Sequence, residues 1–378
     1  MTKTTSPAKN QPSKWMQAAI DLSIQALPKA SPRPTVGAVI VQGGKIVGRG
    51  VTQPNGGLHA EVVALQDAGQ AARNSHMYLT LEPHGYQSTQ PPCTDAIIRA
   101  GVSAVTFAVN DPNPRVAGIG ARQLVKGGLQ VDVGDGGHKA SELHEAFFHF
   151  IQFNTPFVSV KFAATLDGKI ASSSGDSRWI SGEIARDWSH QLRTEIQSIA
   201  VGSGTVLADN PNLTARPNGK LAAKKLQPLR IVFDSRGRIS PKSAVLGDNT
   251  FIITTNSSPE SWRNQIEQSH SSVIVVDTDG SGRVDISSAL RKLGTLQIQN
   301  IFFEGGAEIL GSLFDHQLVN RVHAILAPAI MGGSVSPSAV LGQGTLQMND
   351  ITRLNNIRVQ SLGDDIHVTG IPCWSESK

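Results

Sequence analysis

Residues 81–97 read LEPHGYQSTQPPCTDAI, a strand end, a polar loop and the opening turn of a helix. Upstream, SHMYLTLEP (75–83) reads as a strand running into that loop. Downstream, TDAIIRAG (94–101) is a helix followed by the strand SAVTFAV (103–109), and ARQLVKGG with LQVDVG (121–134) adds another helix–strand unit. On the N-terminal side, KWMQAAIDLSIQAL (14–27) spaces its apolar residues helically. TVGAVIVQGGKIVGRGV (35–51) reads as two strands joined at Gly43–Gly44, and HAEVVALQDAG (59–69) as a helix ended by Gly69. This β–α succession predicts a layered α/β domain around a central sheet.

A helix over ASELHEAFFHFIQF (140–153) then runs into Asn154–Thr155–Pro156, where a boundary is expected. After it FVSVKFAATLDGKIA (157–171) starts a fresh strand, followed by SIAVGSGTV, LRIVFDS, TFIITT, SVIVVD, NIFFEGGAEILGSLF, RVHAILAPAIM and DIHVTGI. Their near-continuous Val/Ile runs predict strands buried on both faces. Two domains are expected, 12–153 and 154–378, with no internal repeat or low-complexity tract.

A chain of 378 residues is too long for one typical core. The formal charge is only +4, aromatics are 5%, and no run of basic residues occurs, so nucleic-acid binding has no support. A small positive excess suits small anionic substrates such as phosphate esters. The two cysteines, Cys93 and Cys373, make no disulfide framework, which indicates a reducing compartment. The N-terminus MTKTTSPAKNQPSKW lacks the apolar core of a secretory signal, and no apolar stretch nears the roughly 20 residues that span a bilayer. A cytoplasmic enzyme with a short frayed N-terminal tail is expected.

His59–Ala60–Glu61 opens a helix after the loop TQPNGGL (52–58), placing both polar side chains toward a pocket at the end of the neighbouring strand. Hydrolytic deamination needs a metal to lower the pKa of water and a carboxylate to shuttle its protons. His59 suits the first need as a nitrogen ligand, and Glu61 the second. Pro92–Cys93 starts another helix, whose positive end favours a thiolate. His84 has two readings, a third ligand or an ordinary loop histidine. Zinc accepts imidazole readily, so His59, His84 and Cys93 with one open position form a chemically reasonable site, provided the loop has adjusted.

In the second half, VGSGTV (201–206) is a glycine-rich turn after a buried strand, suited to a phosphate or amide approach or to nothing beyond a tight turn. It is no Rossmann fingerprint, since Leu207 stands where a third glycine belongs. EGGAEILGSLF (304–314) reads either as a helix N-terminus for pyrophosphate or as a plain β–α turn. Arg193 and Arg216 suit a sugar phosphate, although most arginines are merely solvated.

Together these motifs resemble the bifunctional riboflavin-biosynthesis deaminase–reductases. That resemblance implies a cytidine-deaminase-like three-layer domain followed by a dihydrofolate-reductase-like domain with a mixed sheet. In the family the first-domain loop runs Pro-Cys, Ser-His-x-Gly-Arg-Thr, Pro-Pro-Cys. Here both Pro anchors, the final Cys and the length persist, while His84 replaces the first Cys and Gly85–Gln90 replaces the loop. Upstream, Arg33 replaces the family's Asn before Pro34. These changes remove residues the family uses to hold substrate phosphate. The resemblance implies zinc on His59, His84 and Cys93 with Glu61 catalytic.

The match is fuller in the second half, through VKFAATLDGKIASSSGDSRWISG (160–182) and RTEIQSIAVGSGTVLADNPNLTAR (193–216). It implies substrate contacts at Lys161, Ser177, Arg193, Leu213, Arg216 and Glu304. NADPH contacts are implied at Ala163, Trp179, Thr205, Asp209, Ser235 and Gly306, Trp179 being equally readable as core packing. The expected chemistry is NADPH-dependent reduction of a phosphorylated ribosylaminopyrimidine to its ribitylamino product, with deamination of the diaminopyrimidine precursor in the first domain. A homo-oligomer through the reductase domain is also expected. Two alternatives stand beside this: a reductase whose degenerate first domain serves assembly or takes another amine, and a non-catalytic binding or regulatory protein.

Overall fold

In the computed structural model, which describes residues 11–27, 33–54, 56–87 and 90–374, the chain divides between Asn154 and Thr155 into two compact units. The N-terminal tail expected to fray lies outside the described residues.

The first unit runs α1 (Lys14–Ala26), β1 (Gly37–Gln42), β2 (Lys45–Val51), α2 (Ala60–Ala68), β3 (His76–Leu79), α3 (Cys93–Arg99), β4 (Ala104–Phe107), α4 (Ile119–Lys126), β5 (Gln130–Val133), α5 (Gly137–Leu143) and α6 (Glu145–Phe153). Gly43 and Gly44 both have positive φ, the backbone a two-residue hairpin requires, and they join β1 to β2 as the sequence predicts. The five strands lie in the order β2-β1-β3-β4-β5, with β3, β4 and β5 parallel. Alternation along β1 builds the layers. Ala38 and Ile40 pack with Ala60 and Ala64 of α2 and Ile97 of α3, whereas Val39 and Val41 pack with Met16 and Ile20 of α1. Helix α2 lies directly on β2, close enough that a Cβ at Gly50 would overlap the Ala60 carbonyl. That contact fixes the helix end bearing His59 and Glu61. The single helix expected over 140–153 is instead two, broken at His144, whose buried imidazole Nε2 sits 3.2 Å from Thr80 Oγ1 at the end of β3.

The second unit comprises β6 (Phe157–Thr165), α7 (Glu183–Leu192), β7 (Ser198–Gly202), α8 (Ser203–Asp209), β8 (Leu229–Phe233), β9 (Thr250–Thr254), α9 (Glu260–Gln268), β10 (Ser272–Val275), α10 (Ile286–Thr295), β11 (Asn300–Glu304), α11 (Ala307–Asp315), β12 (Arg321–Ala327), β13 (Arg353–Leu362) and β14 (Asp365–Cys373). Its nine strands follow the order β10-β9-β8-β7-β11-β6-β12-β14-β13. Strands β10 through β12 are parallel, and β14 and β13 turn antiparallel at one edge, making the sheet mixed. The central strands are covered on both faces: Ala200 of β7 joins one core with Val160 and Phe303, while Ile199 and Val201 join another with Val232 and Phe302. The apolar runs reflect this double burial. Strand β13 is not legible in the sequence, because as an edge strand it is exposed almost throughout and shows no apolar alternation. Among the described residues no helix is long and apolar enough to cross a membrane.

Candidate metal centre and reductase cavity

In the first unit, the end of β3 and the N-termini of α2 and α3 bring together residues far apart in sequence. His59 is the N-cap residue of α2 and Cys93 the first residue of α3. The ligand atoms of His59, His84 and Cys93 all lie within 4.8 Å of one another. Cys93 Sγ is 3.4 Å from His59 Nδ1, and the two imidazole centroids are 4.6 Å apart. This spacing suits three donors around one ion.

The electrostatics agree with that arrangement. His84 is buried, and neither ring nitrogen makes a bond of full hydrogen-bond geometry, the Gln90 backbone being only a weak partner that raises its pKa against the lowering by burial. Poorly satisfied imidazole nitrogens beside a second imidazole and a thiol are costly in a protein interior unless a cation receives them. Burial lowers the pKa of His59 to about 4, helped by His84 and then Arg33, so its ring is neutral and its lone pair available. Burial and the adjacent Glu61 push the Cys93 thiol up, outweighing the seven-residue helix α3 that alone would favour a thiolate. Glu61 is itself buried and raised by that burial, with Cys93 beside it. These residues fit a zinc ion.

Arg33 lies at this site without touching the ligands. Its Nη1 donates to the Gly57 carbonyl at 2.9 Å, and its Nη2 to those of Gln53 and Pro54 at 2.6 and 2.7 Å. The guanidinium thus clamps the loop leading into His59. The Arg–Pro pair is visible in the sequence; the clamp is not.

In the second unit, a cavity of about 630 Å³ opens where β6, β7, β8 and β11 end. Lys161, Ala163, Ser177, Thr205, Asp209, Ser235, Glu304 and Gly306 all line it. Gly305 and Gly306 both have positive φ (72° and 79°), turning β11 sharply into α11 and leaving that helix N-terminus open to the cavity. Strand β7, by contrast, passes straight into α8 through an extended Gly202, without a looping turn. Arg236, Arg238 and Arg283 also line the cavity and escaped the sequence reading, though the pattern DSRGR (234–238) directly after a strand was available. The volume is within the range of small-molecule sites.

Four expected contacts lie outside that lining. Trp179 is 70% exposed and stacks under Arg186 at 4.5 Å, which rules out core packing. Leu213 is buried with φ +52°, a left-handed backbone that costs about 1–3 kcal/mol for such a side chain. Arg193 is engaged by Glu304 through two bonds of 2.6 and 2.8 Å and by the Thr214 carbonyl at 2.8 Å. Arg216 is exposed; its backbone N–H is bonded to His190 Nδ1 at 3.3 Å and its carbonyl accepts from Gly219 N–H at 3.1 Å, while its guanidinium makes no hydrogen bond or ion pair among the described residues. Of the two arginines, Arg216 is the one with a guanidinium to offer. Burial opposes ionisation of Glu304, but Arg193 and Lys161 overcome it and bring its pKa down to about 2. Lys161 is lowered by burial, with Glu304 holding its charge and Arg193 opposing it.

A zinc-type cluster on an α/β sheet, followed by a reductase cavity on a mixed sheet, defines a two-domain deaminase–reductase. Residues 9–109 match the cytidine and deoxycytidylate deaminase zinc-binding region, and residues 156–368 match the RibD C-terminal domain. The riboflavin biosynthesis protein RibD of Bacillus amyloliquefaciens is 37% identical over 361 residues, covering 95% of each chain. That of Actinobacillus pleuropneumoniae is 38% identical, covering 93% of each. The solved structure of Acinetobacter baumannii RibD superposes with a TM-score of 0.83 at 30% identity, covering 95% of this chain and 98% of that one. The chain belongs to the RibD family of riboflavin-biosynthesis enzymes. It is an enzyme with deaminase and reductase domains, and the non-catalytic reading is set aside.

Proposed function

We propose that both domains act in sequence on one phosphorylated pyrimidine: hydrolytic deamination in the first, NADPH-dependent reduction of the ribosylamino chain in the second. A solved relative from Thermotoga maritima, 29% identical over 95% of this chain, is described as a diaminohydroxyphosphoribosylaminopyrimidine deaminase and 5-amino-6-(5-phosphoribosylamino)uracil reductase. The observation that carries the deaminase half is the cluster itself: buried His84, its ring nitrogens poorly satisfied, with ligand atoms of His59 and Cys93 within 4.8 Å.

His59, His84 and Cys93 would hold zinc, which would supply the Lewis acidity that makes water a nucleophile near neutral pH. Glu61, buried beside the ligands, takes a proton from that water and delivers one to the departing amine. The altered loop Gly85–Gln90 and Arg33 change how the substrate phosphate is held, and leave the reacting groups in place.

In the second domain the Gly305–Gly306 turn and the start of α11 would hold the cofactor pyrophosphate, and Ala163, Thr205, Asp209 and Ser235 of the same cavity lining would hold the rest of it. NADPH, when bound there, would supply the hydride needed at the sugar's anomeric carbon. Lys161, Glu304 and Ser177, all in the cavity lining, would hold the ribose chain. Arg216 and the strained loop carrying Leu213 meet the phosphate end, while Arg193 positions Glu304. Trp179, exposed beside this domain's cavity segment Gly175–Ser177, would be available to a bound cofactor.

A reducing, cytoplasmic setting is supported by two free thiols, at Cys93 and Cys373. A homo-oligomer through the reductase domain is supported by Ile357 and Val359, apolar and exposed on edge strand β13.

The test is an assay of each half. Purified protein should contain zinc, release ammonia from the diaminopyrimidine phosphate, and oxidise NADPH when given the deaminated product. Zinc-loaded protein that oxidises NADPH but releases no ammonia would reduce the activity to the reductase alone.

A further inference from the structure

Metal-bound histidines are normally oriented by a hydrogen bond from the ring nitrogen that does not hold the metal. In His84 neither nitrogen makes such a bond with full hydrogen-bond geometry, the Gln90 backbone beside the ring being a weak partner only. Its ring also stands where the family places a shorter cysteine, so something else must aim it. The edge-on contact with Tyr86, centroids 5.6 Å apart, restrains one side of the ring and supplies no polar partner.

The support comes through the backbone. Gln123, on α4, donates from Nε2 to the Gly85 carbonyl at 2.7 Å and accepts at Oε1 from Thr94 Oγ1 at 2.7 Å. Gly85 directly follows His84, and Thr94 directly follows Cys93. One amide therefore ties together the two segments that carry two of the three ligands. The segments also meet directly, since the Cys93 N–H donates to the His84 carbonyl at 3.1 Å. Helix α4 is in turn docked on the same strand end: the Glu82 carboxylate accepts from Gly118 N at 3.0 Å and Ala121 N at 3.2 Å.

Gln123 reaches this position only because residue 85 is glycine. A Cβ built at Gly85 would overlap the Gln123 amide, whose atoms are the three nearest to that point. Gly85 is absent from the residues with positive φ, so the close approach, and no turn geometry, is what calls for glycine.

We propose that Gln123, admitted by Gly85, is the positioning residue that makes a metal ligand of His84. This rests on the zinc reading of the His59–His84–Cys93 cluster and names how the exchanged ligand is held. The replacement of the loop and of its first cysteine are, on this view, one linked change: an imidazole at 84 needs the backbone at 85 pinned, and the pin needs a glycine.

The experiment compares the full-length protein with Gln123→Ala and Gly85→Ser, measuring zinc affinity by chelator competition and the visible spectrum of the cobalt-substituted site. Both variants should bind zinc about 10–100-fold more weakly, the range of lost outer-shell support, with an altered cobalt spectrum. NADPH oxidation should stay unchanged, since the second unit is untouched. Circular dichroism checks folding, and Gly85→Ser carries the test should Gln123→Ala fail to fold. Wild-type affinity and spectrum in both variants would overturn the proposal while leaving the zinc site standing. A wild-type protein that binds no zinc or cobalt would remove the zinc reading itself, and the proposal with it.

Discussion

His84 puts a neutral imidazole where a thiolate stands in the family, leaving the ligand set one negative charge poorer. His84→Cys should therefore raise zinc affinity, and His84→Ala should empty the site, both read by elemental analysis after dialysis against a weak chelator. Unchanged zinc content in both would take His84 out of the metal shell. The two arginines of the reductase separate in the same residue-by-residue way. Arg216→Ala should raise KM for the phosphorylated substrate far more than KM for NADPH, since its exposed guanidinium makes no hydrogen bond or ion pair among the described residues. Equal effects on both would remove it from the substrate phosphate. Arg193→Ala should act on folding, leaving Glu304 buried without its partner at a cost of about 3–5 kcal/mol, read from urea unfolding of the variant. The Arg193 and Glu304 side chains are only 13% and 10% exposed, so solvent screening offers little relief.

Strands β12 and β14 carry a pair of histidines that neither site uses. His323 Nδ1 is 3.1 Å from His367 Nε2, and Gln360 Nε2 of β13 is 3.0 Å from His367 Nδ1. Trp188 of α7 lies against both rings, 5.6 and 4.3 Å between centroids. With the Gln360 amide nitrogen as donor, His367 must donate from Nε2 and His323 must accept at Nδ1, which fixes both tautomers in the neutral state. Burial lowers the pKa of His323 from 6.5 to about 3, with His367 and Arg321 adding to it. A base whose folded pKa lies below its unfolded value stabilises the fold above the unfolded value and withdraws that stability on acidification. The reductase unit should accordingly weaken as pH falls from about 6.5 toward 3. His323→Gln, an uncharged acceptor, should flatten that limb in melting temperatures taken across the range; an unaltered slope would assign the acid sensitivity elsewhere.

The two compact units predict that residues 154–378 alone fold and oxidise NADPH with deaminated substrate, because that unit holds its own cores and the whole cavity. An inert fragment beside an active full-length chain would show that the first unit is structurally required. Much of this organisation is legible in the sequence. The apolar periodicity that buries a strand or helix is a local property, so β1, β2, α2, the parallel strands of the second sheet and the Asn154–Pro156 break all show in the letters. The spacing of His59, Glu61, His84 and Cys93 is likewise on the page, as is the double glycine at 305–306. Edge strand β13 is not, because exposure on both faces erases the pattern that would announce it. Nor is the break at His144, which depends on a hydrogen bond to a strand some sixty residues earlier. The sequence by itself determined the fold class and the family chemistry, since both rest on residue types and near-neighbour spacing. Only the tertiary structure decided that the Arg193 guanidinium is spent on Glu304 while that of Arg216 is exposed, that Arg33 clamps the loop before His59, and that Gln123 reaches Gly85 and Thr94. Each is a contact between segments distant in the chain, and its partners are chosen by how helices and strands pack.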